Sequence, residues 1–194
     1  MLVVINATPV AANNWGSGVS NTKPQGGHEC DDSQLSECIA DSGIIHYVYF
    51  FNVENAQRLD TINRIDVVYQ PVPGLAVQVQ SAQTSATDVV VIDDNYSTSQ
   101  FPGWTRCAYN ATYGGSDPYR WCKHQYIFYN LDRTSFFSTQ QRRRMIACHE
   151  FGHTLGLQHT GNGGTAQDSC MYSTANTSTT LRQHEINHLE NDLY

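Results

Sequence analysis

The segment HEFGHTLGLQH, residues 149–159, constrains the fold of this chain more than any other feature. Because an α-helix has about 3.6 residues per turn, His149 and His153 would lie on one helix face, one turn apart. His159 stands six residues further on and would point away if the helix continued. Gly156 can adopt the left-handed conformation that commonly ends a helix. The segment therefore predicts a helix that stops near Gly156, so that the chain turns and brings His159 back to the other two histidines.

Three converging imidazole groups form a typical ligand set for a catalytic zinc ion, which keeps a water molecule at its fourth coordination position. Glu150 directly follows the first histidine. Its carboxylate would lie beside that open position, where it can act as a general base. We therefore predict one bound Zn²⁺ ion, held by His149, His153 and His159, and a catalytic role for Glu150.

A second His-Glu-x-x-His segment, at residues 184–188, provides an internal comparison. No glycine follows it at the helix-ending position, and Tyr194 stands where a third ligand would be needed. A bare match of this kind is weak, because the four-residue spacing alone does not complete a metal site. We interpret this segment as an exposed helix face and not as a second metal site.

The segment HEFGHTLGLQH together with Met171 resembles the metzincin clan of zinc endopeptidases, and HEFGHTLGLQHT with Met171 followed by Tyr172 is most similar to the matrixins. The resemblance implies an α+β fold divided by a cleft. Above the cleft would lie a twisted, mostly parallel sheet with an antiparallel edge strand and two helices. Below it would lie a small irregular subdomain with the Met-turn and a C-terminal helix. Met171, near Tyr172, would form an apolar floor beneath the metal.

By the same resemblance, the activity is that of a zinc-dependent endopeptidase. A metal-activated water would attack a peptide bond in an extended protein segment, with Glu150 as general base. The substrate would add as a strand to the exposed edge of the sheet, which we place at 105–111. The alternative is a zinc-binding module without catalysis. Glu150 argues against it, because three histidines would hold zinc without that carboxylate.

The length of 194 residues suits one domain with its own core. Residues 1–43 are rich in Asn, Gly, Ser and Asp and show no helix or strand periodicity, so we interpret them as an irregular N-terminal extension. Residues 44–194 would form the catalytic domain. Its upper subdomain would span about 44–159 and its lower subdomain about 160–194.

Hydrophobic patterns predict the elements of the catalytic domain. Strands are predicted at 44–51, 75–80, 88–92, 105–111 and 125–130. Apolar residues recur at helical spacing and predict an amphipathic helix that packs on the sheet; they are Ala56, Leu59, Ile62, Ile65 and Val68.

The active-site helix would begin after Ser138, which forms a capping box with Gln141. A closing helix would span 179–193. The three arginines at 142–144 are interpreted as a solvated face, with a docking patch for acidic partners as the alternative.

The six cysteines are even in number and lack Cys-x-x-Cys spacing, which favours disulfides and a secreted, extracellular protein. The resemblance places Cys148 close to Cys170 and so predicts a disulfide between them. A bridge between Cys30 and Cys38 would close a short loop. The alternative is a free Cys30 thiolate that caps the zinc and keeps the enzyme latent. The remaining disulfide candidates are Cys107 and Cys122.

Composition indicates which partners to expect. The net charge of -7 gives no attraction for phosphate backbones or anionic membranes, and no stretch approaches the roughly 18 apolar residues of a membrane span. We expect protein or peptide substrates, no nucleic-acid or membrane partner, and a monomer. The cluster Asp93, Asp94 and Asn95 could bind calcium, but a turn is the favoured interpretation.

Overall fold

The computed structural model describes residues 39–40, 45–107, 121–122, 124–157, 159, 166–172 and 176–190. Predictions for Cys30, Cys38 and the extension before residue 39 lie outside these residues. The same holds for residues 108–111 of the predicted edge strand. The division into an upper and a lower subdomain stays a prediction.

Most strands follow the predicted positions closely, because their apolar patterns are local. Among the described residues they are β1 (Ile39–Ala40), β2 (Ile45–Phe51), β3 (Ala76–Gln80), β4 (Val89–Asp94), β5 (Gly103–Cys107), β6 (Trp121–Cys122) and β7 (Gln125–Asn130). β1 pairs in parallel with β6, so extended structure begins inside the segment that we predicted as irregular.

The main sheet has five strands in the order β3-β2-β4-β7-β5. All neighbouring pairs are parallel except β5 and β7, which are antiparallel. β4 lies at the centre because it is apolar on both faces: Val89, Val90 and Val91 are at most 2% exposed. The predicted α+β class, with a mostly parallel sheet and an antiparallel edge strand, is confirmed.

Helices connect and cover these strands. They are α1 (Asn55–Arg64), continued by a π-helical turn (Ile65–Tyr69), α2 (Thr134–Phe137), α3 (Gln140–Thr154) and α4 (Gln183–His188). The cap of α3 is Thr139, whose side chain accepts a hydrogen bond from the Arg142 amide at 3.3 Å, so the predicted cap at Ser138 is wrong by one residue. α4 begins later than the predicted residue 179, at Gln183.

The predicted buried face of the amphipathic helix is confirmed at its end, where Ile65 and Val68 are buried, and is wrong at its start. Leu59 is 58% exposed, whereas Asp60 and Thr61 are buried. The reason is that α1 packs against α3 and reaches β7, and both elements supply hydrogen-bonding partners for its polar side chains. Thr61 Oγ1 lies 3.1 Å from Tyr129 Oη of β7. Asp60 contacts two arginines of α3.

The expectation of a solvated arginine face is wrong for Arg143 and Arg144. Their Nε atoms lie 2.8 Å and 3.0 Å from the two carboxylate oxygens of buried Asp60. A buried carboxylate needs such compensation, since its desolvation is costly. These two arginines therefore fasten the active-site helix to α1.

A single hydrophobic cluster joins the sheet, both long helices and the segment after residue 166. Val48, Val91 and Ile127 contribute from the strands, Phe151 from α3, and Met171 from the C-terminal part. The cluster includes Cys148 and Phe151, which flank His149 and Glu150 in α3, so it lies next to the residues of the candidate site.

Candidate metal centre

Helix α3 carries His149 and His153 one turn apart, and their Nε2 atoms lie 3.1 Å from each other. The helix ends directly after them. Gly156 has a φ of 83°, the left-handed region. The Gly156 amide donates to the His153 carbonyl at 3.0 Å, and the Leu157 amide donates to the Gly152 carbonyl at 3.1 Å. This pair of bonds is a Schellman motif, and it stops the helix so that the chain can turn.

The turn brings His159 back to the helix. Its Nε2 atom lies 3.1 Å from His149 Nε2, and the ligand atoms of His149, His153 and His159 all lie within 4.8 Å of one another. Among the described residues, this is the group of His, Cys, Asp or Glu side chains that is arranged to hold an ion. The structure therefore brings together the three histidines that the sequence singled out.

Backbone carbonyls fix the orientation of two imidazoles. His149 Nδ1 lies 2.7 Å from the Cys170 oxygen, and His153 Nδ1 lies 2.7 Å from the Leu157 oxygen. A carbonyl only accepts, so each Nδ1 carries the proton and each Nε2 keeps a free lone pair. Such anchoring of the distal nitrogen is typical of metal-ligating histidines.

Desolvation favours the neutral form of all three ligands, of which His153 is buried, His149 half-buried and His159 exposed. Desolvation lowers the pKa of His149 to about 4, an effect to which neighbouring His159 adds. Burial also lowers the pKa of His153 well below its ordinary value, and desolvation lowers the pKa of His159. Neutral imidazole is the form that binds metal.

The spacing of the nitrogens fits zinc. Zn–N bonds of about 2.0–2.1 Å in tetrahedral geometry separate neighbouring ligand nitrogens by about 3.3–3.4 Å. The two Nε2 distances of 3.1 Å are close to this separation. Two deprotonated nitrogens at that distance repel each other unless a cation lies between them. The donor set therefore fits a zinc ion with three protein ligands.

Glu150 lies on α3 next to the first ligand and is only 4% exposed. Thr105 of β5 contacts it twice: its Oγ1 lies 3.0 Å from Glu150 Oε2 and 2.9 Å from the Glu150 carbonyl oxygen. Burial raises the pKa of Glu150 to about 8, and the hydrogen bond from Thr105 opposes that shift. A nearby cation would favour the carboxylate form further.

Met171 is fully buried against the active-site helix. A β-carbon placed on Gly152 would lie 2.4 Å from Met171 Sδ and 3.0 Å from Tyr69 Oη. Gly152 thus allows Met171 to approach the helix backbone between the two helical ligands. Tyr172, which follows, is half-buried, and its amide donates to the Ser169 carbonyl at 3.3 Å.

A disulfide joins Cys148 to Cys170, with their Cα atoms 5.9 Å apart. It links the residue before the first ligand to the residue before Met171. Tyr69 Oη also donates to the Cys148 carbonyl. Cys107 ends β5 and Cys122 ends β6, and their side chains lie outside the described part of the chain.

The second His-Glu-x-x-His segment forms α4, but the interpretation as an exposed face is wrong at its centre. Glu185 is fully buried, and its Oε2 accepts a hydrogen bond from the Arg182 amide at 2.8 Å. It caps the start of α4, where free amides need an acceptor. His184 belongs to no ion-binding group among the described residues.

The acidic cluster is occupied by backbone contacts. Asp93 accepts a hydrogen bond from the Glu54 amide at 2.6 Å, and Asp94 accepts one from the Asn95 amide at 2.7 Å. Asp93 and Asp94 are the last two residues of strand β4, so the predicted turn is wrong for them. Calcium stays without support.

The sequence analysis gave no site role to Gly152, to Gly103 or to the side chain of Thr105, although Thr105 begins the predicted substrate-binding strand. Gly152 had a signal, because a glycine inside a helix costs about 1 kcal/mol relative to alanine and so indicates a packing need. Thr105 and Gly103 had none, since they lie more than forty residues from Glu150 in the chain.

The mostly parallel sheet, the histidine cluster and the buried methionine match the metzincin fold that the sequence resemblance implied. The family model of the matrixins matches residues 75–194, and the chain belongs to the matrixin family. Membership places it among the metalloproteases, which are hydrolases that act on proteins. A search of curated proteins gave no significant match. Within the described residues, no helix has both the length and the apolar character to cross a membrane.

Proposed function

We propose that this matrixin is a zinc-dependent endopeptidase that hydrolyses peptide bonds in extended protein segments. The observation that carries the proposal is the convergence of three histidine Nε2 atoms beside the helix that also bears buried Glu150. When bound, zinc would acidify a water molecule and polarise the scissile carbonyl.

Glu150 is proposed as the general base. Its carboxylate would accept a proton from the attacking water and later pass that proton to the leaving amine. Because Glu150 is buried, the charge that it carries before the transfer is poorly solvated, which makes it a stronger base than an exposed carboxylate. His149, His153 and His159 would hold the metal and would not exchange protons.

The substrate is proposed to bind along β5 (Gly103–Cys107). This strand pairs only with β7 among the described residues and lies at the edge of the main sheet. An edge strand offers free backbone groups to an added strand. Since Thr105 of β5 contacts Glu150, a peptide that adds to this edge would pass the general base.

Secretion, a monomeric state and the absence of nucleic-acid and membrane partners belong to the same proposal. The disulfide between Cys148 and Cys170 supports secretion, and the net charge of -7 supports the absence of nucleic-acid and anionic-membrane partners.

The test compares zinc-loaded protein with and without a chelator on casein, gelatin and a quenched peptide library, with products read by mass spectrometry. We expect internal cleavage of the substrates, loss of cleavage with the chelator, and recovery when zinc is restored. Stoichiometric zinc binding without any cleavage would instead support the non-catalytic zinc-binding module.

A further inference from the structure

The edge strand β5 contacts Glu150 at two positions that point to the same side of the sheet, Gly103 and Thr105. A β-carbon placed on Gly103 would lie 3.0 Å from both Cγ and Oε1 of Glu150, and 3.1 Å from Ile146 Cγ2. Thr105 Oγ1 lies 3.0 Å from Oε2. The two carboxylate oxygens therefore have different neighbours: a hydroxyl for Oε2 and the bare backbone of a glycine for Oε1.

We propose that Thr105 is a positioning residue for Glu150, holding Oε2 so that Oε1 is the oxygen that takes the proton from the attacking water. The proposal rests on the endopeptidase function proposed above. Gly103 contributes by its missing side chain, which leaves room for Oε1 and the glutamate stem at the edge of the sheet.

The hydrogen-bonding capacity of the Thr105 hydroxyl fits this division of roles between Oε1 and Oε2. The Thr105 hydroxyl has one proton and two acceptors nearby, the carbonyl oxygen and Oε2 of Glu150. Donation to Oε2 holds the carboxylate, whereas donation to the carbonyl oxygen holds only the backbone of α3, so the positioning role requires the bond to Oε2. When the water proton moves to Oε1, the O–H bond of the water breaks, an Oε1–H bond forms, and Oε2 remains an acceptor. The contact with Thr105 therefore persists through the transfer and does not compete with it.

The location of Thr105 also links the general base, Glu150, to the strand that is proposed to bind the substrate. Residue 105 lies in the strand to which the peptide is proposed to add, and it is buried on the side that faces α3. A glutamate side chain has three rotatable bonds, and free rotation would move the carboxylate away from the productive geometry. The hydroxyl fixes that carboxylate relative to the strand that also aligns the scissile bond.

The test replaces Thr105 with valine, which keeps the branched shape and removes the hydroxyl, and with serine, which keeps the hydroxyl. A hydrogen bond to a charged group corresponds to about a 10- to 100-fold effect. We expect Thr105→Val to lower kcat by about that factor, with KM changed less than about twofold. Thr105→Ser should stay within about threefold of the wild type. Zinc content should match the wild type in both variants, and the thermal unfolding midpoint should fall only in Thr105→Val, by the loss of one buried hydrogen bond.

Thr87→Val is the matched control, because Thr87 is equally buried and its hydroxyl donates to Gln80 Oε1 at 2.7 Å, away from the site. It should leave kcat unchanged. Combining Thr105→Val with Glu150→Gln separates a positioning role from a general structural one. If Thr105 acts through Glu150, the double variant should be no slower than Glu150→Gln alone.

The outcomes separate the two proposals. An active wild type with unchanged kcat in Thr105→Val overturns the positioning role and leaves the endopeptidase function standing. A fall in kcat that serine does not rescue, or that adds fully to Glu150→Gln, overturns the positioning role as well. A zinc-loaded wild type that cleaves nothing overturns both.

Discussion

His149 donates from Nδ1 to the carbonyl oxygen of Cys170 at 2.7 Å, and the residue before it, Cys148, is bonded to the same Cys170 by a disulfide. The first metal ligand is therefore fastened to the turn that carries Met171 by one hydrogen bond and one covalent link. The chain between them includes His159. A change at any of these contacts should affect the ligand set as a unit.

Removal of the disulfide tests this coupling. The bridge spans a sequence separation of 22 residues, and closing a loop of that length stabilises the fold by about 3 kcal/mol through the unfolded chain. We expect the Cys148→Ala, Cys170→Ala pair to lose about that much free energy of unfolding and to bind zinc more weakly. Denaturant titration of the zinc-free protein and competition with a zinc chelator measure the two effects. Unchanged zinc affinity alongside reduced stability would contradict the coupling.

Replacement of Glu150 by glutamine tests the proposed base. The amide keeps the size of the side chain but cannot accept the proton, so turnover should fall by about 100-fold or more while zinc stays bound. Peptide cleavage and metal content are measured on the same sample. His184→Ala, in the second His-Glu-x-x-His segment, is the control and should change neither quantity. Near-normal turnover in Glu150→Gln would refute the assigned role.

The fit between Gly152 and Met171 gives a packing prediction. An added methyl group would lie 2.4 Å from Met171 Sδ, closer than atoms can approach. Overpacking of this kind costs about 1–3 kcal/mol, which exceeds the gain of about 1 kcal/mol from alanine in a helix. We expect Gly152→Ala to be destabilised. Adding Met171→Ala should relieve part of that cost, so the two changes should be less than additive in denaturant unfolding. Additive effects would show that the contact is not limiting.

Buried neutral histidines predict an acid-sensitive fold. Burial lowers the pKa of His46 to about 3 and that of His149 to about 4, below the value of 6.5 expected in the unfolded chain. Between about pH 4 and 6.5 the unfolded chain therefore binds more protons. The free energy of unfolding should fall as the pH drops through this window, by about 1.4 kcal/mol per pH unit for each such group.

Zinc-free protein is used to measure this dependence, so that loss of metal does not contribute. Urea unfolding at a series of pH values should give a shallower pH dependence for His46→Gln than for the wild type. An NMR titration provides a check without mutation. Protonation of the His46 ring near pH 6.5 in the folded protein would contradict the prediction.

Local sequence determined much of the fold and of the metal centre. The four-residue spacing of His149 and His153 placed both on one helix face, and Gly156 supplied a left-handed conformation in which that helix ends and the chain returns His159. β4 could be located from its run of valines. These features depend on helix and strand periodicity and on the freedom of glycine, which act over a few residues.

Tertiary structure alone decided which side chains support the site. Leu59 is exposed and Asp60 buried because α1 meets the arginines of α3, a contact between segments more than eighty residues apart. Thr105 reaches Glu150 because strand order places β5 at the edge beside α3. The periodicity of a segment does not predict the order of strands in a sheet or the element against which a helix packs. Only the simultaneous packing of sheet, helices and disulfide brings those residues together, since each buried polar group must find its partner in another part of the chain.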